Sequence, residues 1–532
     1  MLVVVLALLA NEPALTTPAS LQAAALADLA TLSPDDRLYT RYLSLFPLPI
    51  TKRAELEVAL AFWLASLNNR RANPPLVWVA NGQLWRLALD AYDFSAEAWE
   101  ALGNADPYFK YTVQDGATVT RGWLDPAVVK TLYEMTNSYS PVVRADFFLA
   151  KTSLEVGGRN PFLTGFYSKF ARLPDTEAKL FQGLGLDEKL VAKESLDRGD
   201  GVQDSIVALH NRELQRRPTL FGFLWRSLDV DEDFSVDGSK SITERFKGTI
   251  KRAGSEHIFT GKNGMHRYYL ANADGKQVAE VPSKIAQHRG NANDSTVFTP
   301  LSCIECHTSS SGIIPFRGVV KDVALNERTG LAVITQGDYD PKERKEIVRS
   351  LNDYYADSLK ADVNSDQLAY EAAVKSATGK TTLQAQTAYL SVVHGYLYGR
   401  VGLSEFAAET GNTPAGAIDY VVRSGAGTLQ VLRAGKTISR EAFEVLYGKA
   451  MTARIYSWES ELRFAIPVVQ RPAKVSPPSA LRIEELPAGA VREDRLPSDP
   501  AGDVRYRIGN QQFLRRGEVL FRANYPNWER VK

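Results

Sequence analysis

Two cysteines are the only ones in the 532 residues of this chain, and they stand three apart with a histidine directly after the second: Cys303-Ile304-Glu305-Cys306-His307. C-x-x-C-H is the attachment pattern of a c-type haem. Each thiol can form a thioether to one haem vinyl group, and the adjoining imidazole can supply the proximal ligand to iron. Other chemistries fit less well. A redox dithiol wants a thioredoxin-like βαβ context, which the loop-like run Asn291–Ser295 and the following Ser309–Gly312 do not offer. A structural zinc site needs two more ligands, and there is no second cysteine pair. A disulfide across two residues closes too short a loop to stabilise much. The expected cofactor is therefore one covalent haem c, held by Cys303 and Cys306 with His307 on the iron.

The second axial position decides the chemistry. A strong sixth ligand makes an electron carrier, whereas an open or weakly held position admits peroxide, oxygen or another small molecule. Methionine and histidine are scarce here, at four and six residues. Met135, Met265, His266 and His288 lie upstream of the motif. His394 follows Leu390, Val392 and Val393 on an expected helix, and Met451 opens a later helical run. Simple cytochromes c place their ligand methionine well after the motif, which favours Met451 or His394. Packing is the competing role for each, and five-coordinate iron stays open. Arg267, Arg289 and Arg317 flank the motif and could pair with haem propionates, with surface solvation as the alternative. Asp229–Asp233 begins like a calcium loop, but Phe234 stands where glycine is needed and Lys240 where the bidentate acid is needed, which excludes an EF-hand.

The elements that must position this site read as mixed, mainly α with small β elements, a helix-rich multi-segment assembly around one c-type haem. Residues 20–72 read as helical, with Thr51 capping a stripe of Leu56, Leu60, Trp63 and Leu67. A hairpin is expected at residues 76–88, turning at Asn81-Gly82. A helix should begin near Ser95 with Trp99 inward. Short strands are expected at His257–Phe259, Arg267–Leu270 and Val278–Val281, with Asp274-Gly275 as a turn. Asp340, Pro341 and Glu343 resemble a helix start, followed by an apolar stripe of Ile347, Leu351 and Tyr354. Further helices are expected over residues 366–376, 382–409, 414–424 and 438–463. The expected domains are a candidate signal segment (1–19), an N-terminal helical domain with a hairpin (20–145), a mixed α/β haem-motif domain (146–335), a helical domain (336–465) and an extended proline-rich arm with a C-terminal segment (466–532).

Composition narrows the function classes. Lys plus Arg is 63 and Asp plus Glu is 62, a net charge of +1, which argues against a dedicated nucleic-acid binder or strong attraction to anionic membranes. Leu2–Ala10 is an apolar run too short to span a bilayer. It reads as the core of a secretory signal with Ala10 as the last residue before cleavage, although no Lys or Arg precedes it and a short buried element is the alternative. Covalent haem attachment normally occurs outside the bacterial inner membrane, so a periplasmic or otherwise exported protein without a transmembrane helix is expected.

Several further stretches matter together: Arg41-Tyr42-Leu43-Ser44, Asn68-Asn69 with Leu84–Leu87, Asp106–Phe109, Val143–Phe148, Trp225-Arg226-Ser227, Gly264–Leu270 and Leu301–His307. They resemble a group of large exported bacterial proteins with one c-type haem motif, known only as cytochrome c-like. The resemblance spans roughly residues 34–330 and implies haem on Cys303 and Cys306 with His307 as ligand; the group's reaction is unassigned. The group carries Leu and Gln at the positions of Met265 and His266, and a shorter turn at Thr308–Ser311. Three functions follow as expectations: an exported electron-transfer protein with a redox partner protein, a peroxidase-like haem enzyme, or a structural or sensory haem protein. Against the enzyme, di-haem peroxidases carry two such motifs and this chain has one.

Overall fold

The computed structural model describes most of residues 18–187, with 201–203, 212–230, 252–281, 287–288, 295–308, 342, 357–410, 416–418, 427–447 and five strands between 491 and 530. The signal segment, the helix start at Asp340–Glu343 with its stripe, Arg289, Arg317 and Met451 lie outside these residues. So do most of the helix expected at 414–424 and the part beyond residue 447 of the helix expected at 438–463, whose first two residues, Ile438–Ser439, are a strand. Among the described residues the fold is mixed, with helix in the majority and several small sheets. It divides into two units, one of residues 1–113 and 121–466 and a second of 114–120 and 467–532.

In the first unit, α1 (Pro18–Ala30) leads to β1 (Thr40–Ser44), and α2 covers Arg53–Leu67. β2 (Val77–Val79) and β3 (Leu84–Ala88) form the expected hairpin, with Gly82 in the left-handed region at φ 72° that a glycine occupies without strain. These strands join β4 (Val142–Arg144) in a sheet of order β2-β3-β1-β4, where only the β1–β4 pair is parallel. The helical reading of residues 20–72 fails at β1. All five of its residues are buried, so both strand faces meet protein and no polar alternation marks it in the sequence. α3 (Ala96–Ala105) starts where expected: Ser95 accepts a hydrogen bond from the Ala98 amide, and Trp99 is buried.

α2 is the pillar of the core. From Ala59 to Leu67 every residue is buried, as a helix must be when it is apolar on all sides. It packs against α5 (Ala145–Thr152), which comes after α4 (Pro126–Thr136), and against the later helices α7 (Asp357–Thr378) and α8 (Thr382–Leu397). Trp63 fixes the arrangement. Its ring stacks on Tyr389 of α8 at 4.9 Å and on Tyr167 at 5.8 Å between centroids, and its Nε1 donates to Thr152 Oγ1 at 2.7 Å. Thr381 opens α8 with a reciprocal capping box to Gln384.

Beside this core lies a five-stranded antiparallel sheet. Its strands are β5 (Gly201–Gln203), β6 (Arg212–Thr219), β7 (Gly222–Val230), β8 (Arg252–Thr260) and β9 (His266–Asn272), in spatial order β9-β8-β7-β6-β5. β9 is an edge strand, yet its first six residues are buried, because α2 covers it. Arg267 explains the close fit. Its guanidinium donates to Asn69 Oδ1 at 2.9 Å, to the Ala171 carbonyl at 2.7 Å and to the carbonyls of Leu67 and Asn68 at the end of α2. Arg267 is therefore neither a solvated surface cation nor available to a propionate. α7 is pinned to the sheet by Asp366, which accepts two hydrogen bonds from Arg216 at 2.8 Å and one from Trp225 Nε1 at 2.9 Å. β10 (Glu280–Val281) pairs with β11 (Val297–Phe298), and α6 (Leu301–His307) follows. Farther along, α9 covers Leu403–Glu409.

In the second unit, β12 (Val491–Glu493), β13 (Val504–Ile508), β14 (Gln511–Arg516), β15 (Val519–Asn524) and β16 (Asn527–Arg530) form an antiparallel meander in sequence order. The stretch expected as an extended arm with a C-terminal segment (466–532) thus ends in a sheet. The links of two residues at 509–510 and 517–518 are of hairpin length.

Candidate haem-attachment site

α6 carries the whole C-x-x-C-H motif on two turns, and helical spacing sorts its side chains. Residues three and four apart share a face. Leu301, Ile304, Glu305 and Thr308 make one stripe; Cys303, Cys306 and His307 make the opposite one. The first stripe is the anchor. Leu301 and Ile304 are buried in the main core, and the Thr308 hydroxyl donates to the Ile304 carbonyl at 2.6 Å. At the start of the helix the Ser302 hydroxyl accepts from the Phe298 amide of β11 at 3.0 Å, and Pro300 bridges to Leu154. With one stripe held by the core, the other presents both sulfurs and the imidazole side by side. All three are partly exposed, and neither thiol is in a disulfide.

Glu305 is the unexpected member. Its side chain is only 7% exposed and meets two histidines from different parts of the chain. His288 Nε2 lies 3.0 Å from Oε2, close enough for an ion pair though not aligned as a hydrogen bond. His394 of α8 contacts Oε1 through its own Nε2. Burial pushes the Glu305 carboxyl up, but the two imidazoles outweigh it and hold it below the usual carboxylate range. His288 is pushed up to about 10, first by the Cys306 side chain and then by Glu305. A charge buried this far is tolerable only when paired, so the clamp is what lets an acid occupy the anchoring stripe. It also places His394, a candidate sixth ligand, at Glu305 rather than on the cysteine face. Met451, the other favoured candidate, lies outside the described residues.

Cys303 packs against the main core and acts electrostatically on Tyr167, Tyr268 and Tyr389, whose hydroxyls burial pushes far above the ordinary tyrosine range. His307 acts in the same way on His266, the first residue of β9. His266 is 2% exposed, and neither ring nitrogen has a hydrogen-bond partner. Its ring lies flat on Tyr370 of α7, with centroids 3.6 Å apart and 8° between planes, and Phe223 meets it edge-on at 5.4 Å. Burial first, and the charge of His307 second, hold it well below the usual imidazole range. Met265 is a core residue, and Met135 is partly buried against the core.

Two thiols outside any disulfide, both partly exposed, share a helical face with one imidazole, which is the donor set that a c-type haem requires. Among the described residues, no group of three or more His, Cys, Asp or Glu side chains is placed to hold a metal ion by itself. The Glu305 clamp on His288 and His394 escapes sequence reasoning, because it depends on contacts between separate segments. No helix among the described residues is long and apolar enough to cross a membrane. Comparison with protein-family models, with curated proteins and with solved structures finds no match to this chain.

Proposed function

We propose that this chain is an exported c-type cytochrome that binds one haem covalently and exchanges electrons with a partner protein. The observation that carries the reading is the helical face bearing Cys303, Cys306 and His307 together, outside any disulfide. Cys303 and Cys306 would hold the haem through thioethers to its two vinyl groups, and His307 would supply a nitrogen to the iron. When bound, haem c supplies a one-electron couple.

The chain's own residues set the conditions. Leu301, Ile304 and the Glu305 clamp hold α6 rigid, so both sulfurs and the imidazole keep one geometry. Tyr167, Tyr268 and Tyr389 are buried in the core that Cys303 packs against, and a buried surround is a standard control on potential. Attachment through two thioethers places the work outside the inner membrane, in keeping with the apolar run at Leu2–Ala10.

A pyridine haemochrome assay on protein made with a working maturation system tests the reading. Reduced spectra with and without carbon monoxide separate electron transfer from a haem enzyme. A low-spin spectrum indifferent to carbon monoxide supports the carrier, and ready ligand binding supports the enzyme.

A further inference from the structure

We propose that the cleft beside Glu155 and Glu280 is a binding site for a small organic ammonium ion, an inference independent of the haem reading. Four donors surround the Glu155 carboxylate. The Val156 amide at 2.8 Å and the Ser168 hydroxyl reach Oε1, while the Ser168 amide at 3.1 Å and the Gln277 side-chain amide at 3.0 Å reach Oε2. None of the four is charged, and among the described residues no Lys, Arg or His pairs with this acid. Other buried acids of the chain do face a cation: Asp146 and Glu409 have Arg144, Glu177 has Arg226, and Asp366 has Arg216. Glu155 is as deep as these, at 4% exposed, and a buried charge is costly unless it is paired. Burial pushes its carboxyl up, so the fold holds a negative charge that a bound cation would relieve.

The acid lines an open space. Glu155, Ser168 and Gln277 border a cleft of about 480 Å³, a size ordinary for a small-molecule site. Glu280 borders it too. Its side chain is 12% exposed, and its counter-ion is Arg159, whose Nε lies 2.7 Å away on a side chain that is 74% exposed. A surface arginine holds its partner weakly, so Glu280 can exchange it for a ligand. Two carboxylates against one guanidinium leave the lining negative. Val156, Val278 and Ala279 supply an apolar part of the wall. That mixture suits a cation carried on carbon. A bare calcium ion wants six to eight oxygens, and among the described residues no three His, Cys, Asp or Glu are grouped to hold a metal. The walls are also firmly held: the Thr299 amide donates to the Ala279 carbonyl at 3.0 Å, and Leu154 bridges to Pro300.

Isothermal titration calorimetry of the full-length protein tests this, with 1,4-diaminobutane as the probe and 1-butanol and calcium as separate comparisons. One saturable site is expected for the diamine and none for the alcohol or the metal. Glu155→Gln keeps the shape and removes the charge, and it should weaken diamine binding about tenfold or more. Arg159→Ala frees Glu280 by changing only an exposed side chain, and it should tighten binding about threefold. Absence of saturable diamine binding overturns the proposal, as does equal binding of 1-butanol or calcium. An affinity unchanged by Glu155→Gln, or not raised by Arg159→Ala, overturns it too. Should Glu155→Gln fail to fold, Glu280→Gln takes its place with the same expected weakening. None of these readouts involves the thiols or iron, so the result stands apart from that of the haemochrome assay.

Discussion

The Glu305 carboxylate, inside the attachment motif, lies 3.0 Å from the His288 imidazole and is held from its other oxygen by His394. One residue of the C-x-x-C spacer thus ties the thiol-bearing helix to a loop before it and to α8 far after it. The spacer is part of the anchor.

Removing that tie should loosen the helix. Glu305→Ala is expected to destabilise the chain by roughly 2–3 kcal/mol, the usual scale for losing hydrogen bonds to a buried charge. His394→Ala should cost about 1 kcal/mol or less, because its ring is 37% exposed and solvent screens the pair. Urea denaturation followed by circular dichroism measures both. Equal effects from the two substitutions would contradict the clamp as described.

Trp63 carries the contact between α2, α5 and α8. Trp63→Ala removes two ring stacks and leaves Thr152 without its donor. A loss of about 3–5 kcal/mol is expected, read from the denaturation midpoint at constant slope. A loss below about 1 kcal/mol would show that the core closes without this residue.

Glu409 of α9 gives a pH test away from the haem site. Its carboxylate accepts from Arg144 at 2.7 Å and from Arg440 at 2.6 Å in a buried cluster. Burial pushes its pKa up, but the two guanidinium groups prevail and hold it below the ordinary value. A group depressed in the folded state binds fewer protons there than in the unfolded chain, so stability rises with pH through this range. The contribution is fully present above the unfolded carboxylate value of about 4.3, and it is lost as pH falls through the folded one. Glu409→Gln should therefore flatten the acid limb of the stability curve and leave the buried Arg440 without its carboxylate, while Arg144 keeps Asp146, at a cost of roughly 3–5 kcal/mol near neutrality. An acid limb as steep as the wild type's would contradict this assignment.

Local features of the fold were legible in the sequence, and long-range ones were not. The Asn81-Gly82 hairpin, the Ser95 cap and the stripe of Leu56, Leu60, Trp63 and Leu67 all follow from neighbours a few residues apart. Thr40–Ser44 was misread because a strand buried on both faces has no alternation to reveal it. The motif Cys303–His307 was visible as a pattern, but its anchor was not. His288 is 17 residues from Glu305 and His394 is 89, and no periodicity announces a contact across such separations. His266 stands out only once Tyr370, about a hundred residues later in the chain, is seen lying against it.

Substitution within the motif should separate attachment from ligation. Cys303→Ser or Cys306→Ser should weaken or abolish covalent haem, whereas His307→Ala should leave the iron without its proximal nitrogen. Optical spectra of the purified variants check each outcome.

The most direct measurement is intact-mass spectrometry of the mature, exported protein under denaturing conditions, followed by digestion. The account predicts the added mass of one haem, retained through unfolding and found on the peptide that contains Cys303 and Cys306. A polypeptide of unmodified mass, with both thiols free or joined only to each other, would contradict it.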